Sequence, residues 1–218
     1  MSSQDPPLDL IQSIINLHTD RKSKLALSNA HKLLEQFPSS AITLNIIGAI
    51  SAELSQFDQA IKYYKKAVKI RPNYHEAFYN MGVAQQSKNY FDEAIESYSK
   101  AIMIKPNYAE AYSNLGITLY ELLQLDRAIE SYQQALLIKS EYAEAKWNLS
   151  LAQLVLGNFK DGWLNYESRW KKKDFEKERC YSQPVWDGSS IANKILFIYC
   201  EQGVGDEVMF SSCIHDLI

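Results

Sequence analysis

Three asparagines are evenly spaced along the sequence, at Asn80, Asn114 and Asn148. A side-chain amide both donates and accepts hydrogen bonds, so a row of amides can hold an extended peptide backbone with little dependence on its sequence. We therefore expect these asparagines to form a ladder along a binding groove. The alternative is that the amides form hydrogen bonds between neighbouring helices.

Other residue types near the asparagines could add selectivity to such a groove. The aromatic candidates for apolar anchors are Tyr79, Tyr120 and Trp147. Glutamates follow the same interval as the asparagines, at Glu76, Glu110 and Glu144. Aromatic rings with scattered carboxylates suit a peptide that carries basic and apolar residues. Glutamates at helix starts also interact favourably with the helix dipole, which is a second explanation for them.

A glycine-rich turn offers the only candidate phosphate site, at Gly203, Gly205 and Asp206. Glycines let backbone N–H groups approach an anion closely at a helix N-terminus. The turn lacks the third glycine of a dinucleotide fingerprint and the Lys-Ser/Thr pair of a phosphate-binding P-loop. We expect no cofactor, and we interpret this loop as a candidate site for an anion such as phosphate.

Residues suited to catalysis or metal binding do not cluster in the sequence. The four histidines are scattered, and no nucleophile or carboxylate pair stands beside them in a motif. Cys180, Cys200 and Cys213 are odd in number and lack a Cys-x-x-Cys spacing, which argues against disulfides and a zinc site. We predict no catalytic residue and no metal ligand.

Composition excludes several classes of partner. The 218-residue chain has a formal charge of -3, so it lacks the basic field that nucleic acid requires. An apolar fraction of 46% with 22% charged residues is typical of a soluble protein, and no apolar run is long enough for a membrane span. The N-terminal residues do not resemble a signal peptide. A cytoplasmic protein without membrane or nucleic-acid partners is expected.

The candidate groove residues belong to a repeating unit, His75 to Tyr108, whose pattern reappears in the adjoining segments upstream and downstream. Each unit contains two blocks of apolar and small residues at helical spacing, separated by a polar turn. The second block ends at a Lys/Arg-Pro segment such as Lys105-Pro106, where proline stops a helix. Gly82 stands where the two helices must approach closely. Stacked helix pairs are therefore predicted.

The period divides the chain into repeats, a linker and a C-terminal segment. About five helix-turn-helix repeats are predicted at 7–40, 41–74, 75–108, 109–142 and 143–174. The first repeat is degenerate, as expected of a terminal cap, and residues 1–6 are expected to fray. Residues 175–192 form a linker, and residues 193–218 begin an α/β domain with a strand, a loop and a helix.

The recurring spacing, seen in the second repeat at Leu44, Ile47-Gly48, Ala60, Tyr64, Ala67 and Pro72, resembles the tetratricopeptide repeat (TPR) family. The same pattern holds from about residue 7 to 174. The resemblance implies an all-α, right-handed superhelical TPR solenoid. It also implies a scaffold that binds a protein or peptide segment in a concave groove.

A second resemblance covers residues 143–218 and rests on Gly162-Trp163, Tyr166-Glu167, Arg169-Trp170, Trp186-Asp187-Gly188 and Glu201 to Asp206. These residues are similar to bacterial proteins in which TPR arrays precede a glycosyltransferase-like domain of the O-GlcNAc transferase group. The resemblance implies an acceptor-recruiting part of a glycosyltransferase. The sugar-nucleotide site of that family lies mostly in a later subdomain, so no enzymatic activity is expected of the present chain.

An aromatic stripe near the end of the repeats suggests self-association as a further outcome. Trp163, Tyr166 and Trp170 fall at helical spacing and either seal the last helix or form a docking face. The predicted strand at Ile195 to Tyr199 would present an unpaired edge. Either feature favours dimerisation if its partner is missing.

Overall fold

The computed structural model describes residues 5–171 of the chain. The chain divides into two compact units, Met1–Arg169 and Trp170–Ile218, and nearly all of the second unit lies outside the described residues. The predicted linker at 175–192 and the strand-loop-helix segment at 193–218 also lie outside them. Within residues 5–171 the structure is all-α and contains no strand, which confirms the predicted helical class for this part of the chain.

Ten α-helices and one short 3-10 helix follow each other along the described residues. They are α1 (Leu8–Thr19), α2 (Ser23–Gln36), α3 (Ala41–Glu53), α4 (Phe57–Ile70), α5 (His75–Ser87), α6 (Phe91–Ile104), α7 (Ala109–Glu121), α8 (Leu125–Ile138), α9 (Ala143–Val155), α10 (Phe159–Tyr166) and the 3-10 helix Glu167–Lys171. In this part of the chain, no helix has the length and apolarity that crossing a membrane requires.

Each helix packs against the next one in the chain, and some odd-numbered helices also contact the next odd-numbered helix. Each odd-numbered helix contacts the even-numbered helix that follows it, and each even-numbered helix up to α8 contacts the next odd-numbered one. In addition α3 contacts α5, α5 contacts α7, and α7 contacts α9. We call the exposed and half-exposed side chains of α3, α5, α7 and α9 the odd-helix face, which these contacts make continuous.

In three helix pairs, a glycine on the odd-numbered helix and a tyrosine on the even-numbered helix set the distance between the two helices. A Cβ atom added to Gly82 would lie 2.7 Å from Cε1 of Tyr98, and the same atom on Gly48 or Gly116 would meet Tyr64 or Tyr132 at 2.5 Å. All three tyrosine rings are almost completely buried. This geometry explains the predicted close approach, because a larger residue would have to displace an enclosed ring.

The turn inside each pair uses the left-handed backbone region. Residues at the same repeat position have positive φ, and they are Arg21 (60°), Ser55 (58°), Asn89 (60°), Leu123 (57°) and Gly157 (79°). Just after this position a backbone N–H closes the helix end, as when Tyr90 N–H donates to the Gln85 carbonyl at 2.9 Å. Leucine is a poor residue for this conformation, so Leu123 is strained.

The even-numbered helices end where the sequence predicts. Helix α4 stops at Ile70 and α6 stops at Ile104, shortly before Pro72 and Pro106. Helix α8 stops at the equivalent Ile138 although Ser140 stands where the other repeats have proline. Proline is therefore not required for the stop at this position.

Candidate peptide-binding face

The predicted asparagine ladder lies on the odd-helix face. Asn80, Asn114 and Asn148 are each the sixth residue of their helices α5, α7 and α9, and all three are half-buried. Because these helices contact each other in turn, the equivalent positions follow one line along the layer.

Two of the three asparagines form hydrogen bonds with the preceding odd-numbered helix. Asn80 Nδ2 donates to Asn45 Oδ1 at 3.2 Å, and Asn114 Nδ2 donates to Tyr79 Oη at 3.1 Å. The acceptors occupy the fifth position of α3 and α5. The alternative use of the amides, which is bonding between neighbouring helices, is therefore present at both positions. For Asn148 the described residues supply no side-chain hydrogen-bond partner.

The aromatic candidates occupy the same face but differ in their surroundings. Tyr79 packs within an aromatic cluster, with its ring centroid 6.0 Å from Tyr98 and 5.0 Å from Tyr108. Burial raises the pKa of Tyr79, nearby Glu110 raises it further, and the Asn114 hydrogen bond opposes them. Tyr120 on α7 and Trp147 on α9 are half-buried, so part of each residue is accessible.

A cation stacks on a tyrosine at each of three junctions between helix pairs. The Arg71 guanidinium lies 4.9 Å from the Tyr74 ring, Lys105 Nζ lies 4.6 Å from Tyr108, and Lys139 Nζ lies 4.5 Å from Tyr142. These contacts stabilise the turn that leads into the next odd-numbered helix. The sequence signal for the first two contacts is the Lys/Arg-Pro-Asn-Tyr segment, which by itself predicts only a helix stop. The third junction keeps the lysine and the tyrosine but has Ser140 and Glu141 between them.

Carboxylates accompany two of these junction cations. Glu110 Oε1 lies 3.8 Å from Lys139 Nζ, and Asp5 Oδ2 lies 2.7 Å from Arg71 Nη2. Asp5 also accepts a hydrogen bond from Ser40 Oγ at 2.9 Å. Helix α3 has Ile42 at the position that holds glutamate in α5, α7 and α9, so Asp5 supplies the carboxylate that this junction lacks.

The N-terminal contact corrects one expectation from the sequence. Fraying is predicted for residues 1–6, of which residues 1–4 lie outside the described part of the chain. Pro6, however, is buried, and Asp5 bonds to Ser40 and Arg71 at the ends of two different helices. The signal is hard to recognise, because Asp5 and Arg71 are 66 residues apart and their pairing has no counterpart in the other repeats.

The odd-helix face is acidic at one edge. Glu76 and Glu144 are exposed, and Glu110 is half-exposed beside Lys139. Glu76 Oε2 also lies 3.1 Å from His75 Nδ1. Half-exposed rings and exposed carboxylates therefore share one surface.

The remaining candidates are less informative. The predicted anion loop at Gly203, Gly205 and Asp206 lies outside the described residues, and so do the three cysteines. Across residues 5–171, no group of histidine, cysteine, aspartate and glutamate side chains could hold a metal ion.

The predicted aromatic stripe near the C-terminal end of the solenoid is not one α-helix. Helix α10 ends at Tyr166, and Trp170 belongs to the following 3-10 helix. Trp163 and Tyr166 make an edge-to-face contact with centroids 5.5 Å apart.

Comparison with known proteins agrees with this architecture. Models of the TPR repeat match residues 48–89 and 87–122, and a tetratricopeptide repeat model matches residues 109–142. The protein FlbA of Caulobacter vibrioides is 39% identical over 66 residues, which are 30% of this chain and 11% of FlbA. The match thus spans only a small part of that relative.

Solved structures share the fold over most of the described residues. The crystal structure of MamA is 25% identical, with a TM-score of 0.66, and the match covers 70% of this chain and 90% of MamA. YrrB, described as a TPR protein with an unusual peptide-binding site, is 18% identical with a TM-score of 0.62, over 74% of this chain and 84% of YrrB. The family models end at residue 142 and do not address the glycosyltransferase resemblance. Residues 48–142 of this chain therefore match tetratricopeptide-repeat models, and they lie within an all-helical array whose fold resembles that of MamA.

Proposed function

We propose that the chain is a protein-interaction scaffold whose odd-helix face holds an extended segment of a partner protein. The observation that carries the proposal is the continuous contact of α3, α5, α7 and α9, which aligns half-exposed rings and exposed carboxylates along one surface. A right-handed superhelix, as the sequence resemblance implies, would make this surface concave. The shared fold with YrrB supports a peptide ligand.

The residues of the face take different roles in this proposal. Tyr120 and Trp147 provide the apolar anchors, because both are aromatic and half-buried on this face. Asn148 supplies an amide to the bound backbone. Asn80 and Asn114 each already donate one amide hydrogen bond between helices, so they contribute through the rest of the amide and by fixing the register of the helices.

Charge on the face favours a partner segment with basic residues. Its glutamates at the second helical position are Glu76, Glu110 and Glu144. Lysine or arginine side chains of the partner would complement them, and apolar residues would contact the rings. An acidic segment would be repelled from this edge.

Selection from a displayed random peptide library tests this function, with the wild-type chain as bait. We expect peptides that combine lysine or arginine with apolar residues. The triple variant Glu76→Gln, Glu110→Gln and Glu144→Gln should bind a selected peptide at least about tenfold more weakly. A matched control removes the same charge from even-numbered helices, with Glu93→Gln, Glu96→Gln and Glu130→Gln. Equal weakening in both triple variants would contradict the proposed face.

A second candidate function is recruitment of acceptor proteins for a glycosyltransferase. The observation that favours it is the Glu201 to Asp206 motif, which resembles the start of such a domain. The reading frame beyond Ile218 in the gene tests it. A long α/β continuation would support an enzyme, and an immediate stop codon would leave the binding scaffold alone.

Self-association is part of the same proposal. On α10 the large apolar side chains Phe159, Trp163 and Leu164 are exposed by 61%, 48% and 70%. A row of this kind on a short helix favours contact between copies. Light scattering should show a mass that rises with concentration, and substitution of Trp163 and Leu164 by serine should abolish the rise. A monomeric wild-type chain at high concentration would contradict this part.

A further inference from the structure

Helix α4 carries four lysines on one exposed side, Lys62, Lys65, Lys66 and Lys69. Their spacing of three and four positions places them on neighbouring turns of one helix surface. The acidic residue on this helix is Asp58, and its carboxylate already pairs with Lys88 Nζ at 3.1 Å. A concentrated positive surface therefore exists on a chain whose net charge is -3.

None of the ion pairs in the described part of the chain involves these lysines. No carboxylate among residues 5–171 lies within ion-pairing distance of any of the four ammonium groups. Lys66 Nζ lies 5.5 Å from the centroid of the Tyr63 ring, a contact that leaves its charge in place. Lysines at i and i+4, such as Lys62 and Lys66, repel each other and lower helix stability. The arrangement thus opposes folding slightly.

The other repeats show that packing does not require lysine at these positions. One repeat further on, α6 has Glu96, Ser99, Lys100 and Met103, and Lys100 pairs with Glu96 at 2.6 Å. In α8 the equivalent residues are Glu130, Gln133, Gln134 and Leu137. The same fold accommodates acidic, neutral and apolar side chains there, so the lysine surface is particular to α4.

An apolar hollow lies directly beside the lysines. This cavity has a volume of about 290 Å³ and is lined by Leu34, Pro38, Leu44, Lys66, Lys69 and Ile70. A second hollow of about 470 Å³ runs along α4 and shares Lys66 and Lys69 with the first. Two of the lysines therefore line a space whose other lining residues are all apolar, and an apolar side chain would suit that space.

From this juxtaposition we propose that the α4 surface binds an acidic protein segment that inserts an apolar side chain into the hollow between α2 and α4. Charge complementarity identifies the partner, since carboxylates would relieve the repulsion among the lysines. Nucleic acid fits less well, because its phosphates would leave the hollow empty and the chain is acidic as a whole. This site lies on an even-numbered helix and does not depend on the odd-helix face.

A fluorescently labelled peptide of glutamates with two leucines serves as the probe, and anisotropy measures its binding. The variant Lys62→Gln, Lys65→Gln, Lys66→Gln and Lys69→Gln should bind at least about tenfold more weakly than the wild-type chain. The matched variant with arginine at all four positions keeps the charge and should bind within about twofold. Replacing both leucines of the peptide by serine should also weaken binding severalfold.

Two results would overturn the proposal. One is equal affinity of the glutamine variant and the wild-type chain for the glutamate-leucine peptide. The other is equal or tighter binding of a thymidine oligonucleotide, which would assign the surface to polyanions in general. All four lysines are exposed, so circular dichroism should show an unchanged helix content and a melting temperature no lower than that of the wild-type chain. If the fourfold variant loses helix, the single variant Lys66→Gln replaces it and should show a severalfold weaker affinity.

Discussion

Asn114 Nδ2 donates a hydrogen bond to Tyr79 Oη at 3.1 Å, although the sequence predicts that both residues face a bound peptide. The bond instead joins α7 to α5 across the boundary between two repeats. Asn80 forms the equivalent bond to Asn45 between α5 and α3. The ladder therefore fixes how consecutive repeats stack, and Asn148 is the member whose amide these bonds do not use.

This difference predicts opposite effects of two matched substitutions. Asn114→Ala should lower the free energy of unfolding by about 1 kcal/mol, because Tyr79 loses its donor and a bond between repeats disappears. Asn148→Ala should change the free energy of unfolding little, and it should weaken peptide binding more than Asn114→Ala does. Urea unfolding and peptide titration on both variants separate the two roles. Equal losses of stability would show that the two amides do the same thing.

The contact between Gly82 and Tyr98 predicts a large cost for a small change. Gly82→Ala should destabilise the chain by about 1–3 kcal/mol, because the new Cβ would lie 2.7 Å from a ring that cannot move outward. Thermal unfolding measures the effect. In the double variant with Tyr98→Leu the two losses should be less than additive, since the smaller side chain removes the clash. Full additivity would mean that the ring does not restrict residue 82.

Leu123 offers a stabilising substitution. Its φ of 57° is unfavourable for leucine, and its side chain is 77% exposed. Leu123→Asn should raise the free energy of unfolding by about 0.5–1 kcal/mol, because asparagine tolerates this backbone region. Leu137 is also 77% exposed but lies within α8, so Leu137→Asn is the control and should not stabilise. The midpoints of urea unfolding of the two variants measure the difference. A Leu123→Asn variant that is less stable than the wild-type chain would contradict backbone strain at Leu123.

The ion pair between Asp5 and Arg71 predicts a measurable role for the N-terminal residues. Asp5→Asn should lower stability by about 1 kcal/mol at low salt, and the difference from the wild-type chain should shrink in high salt. Asp9→Asn, at an exposed position in the first turn of α1, is the control for loss of one carboxylate. Identical unfolding curves for Asp5→Asn and the wild-type chain would show that this contact contributes nothing.

The buried tyrosines predict unfolding in alkaline solution. Burial raises the pKa of Tyr64, Tyr98 and Tyr132 above the ordinary value of 10.0. The folded chain therefore holds these protons more tightly than the unfolded chain, so their contribution to stability is complete below about pH 10 and declines as the pH rises further. The tyrosinate absorbance that these three rings contribute should change together with helix content above that pH. Ionisation of these tyrosines at their ordinary pKa with full helix content would contradict the enclosed rings.

Much of the fold can be predicted from the sequence because the same residue types determine packing and helix ends in each repeat. Gly82, Ala94 and Pro106 each recur at the same position of at least one neighbouring repeat, so one local explanation applies several times. Contacts particular to one repeat are harder to predict. The pairing of Asp5 with Arg71 and the choice of hydrogen-bond partner by Asn114 depend on distances between helices, which periodicity does not specify.

In the proposed function, the odd-helix face of α3, α5, α7 and α9 holds the partner segment. The most direct measurement is photo-cross-linking of a library-selected peptide that carries a photoreactive group, followed by mass spectrometry of the adducts. We expect adducts on the odd-helix face, at or beside Tyr120, Trp147 and Asn148. Adducts confined to the even-numbered helices α6 and α8 would contradict it.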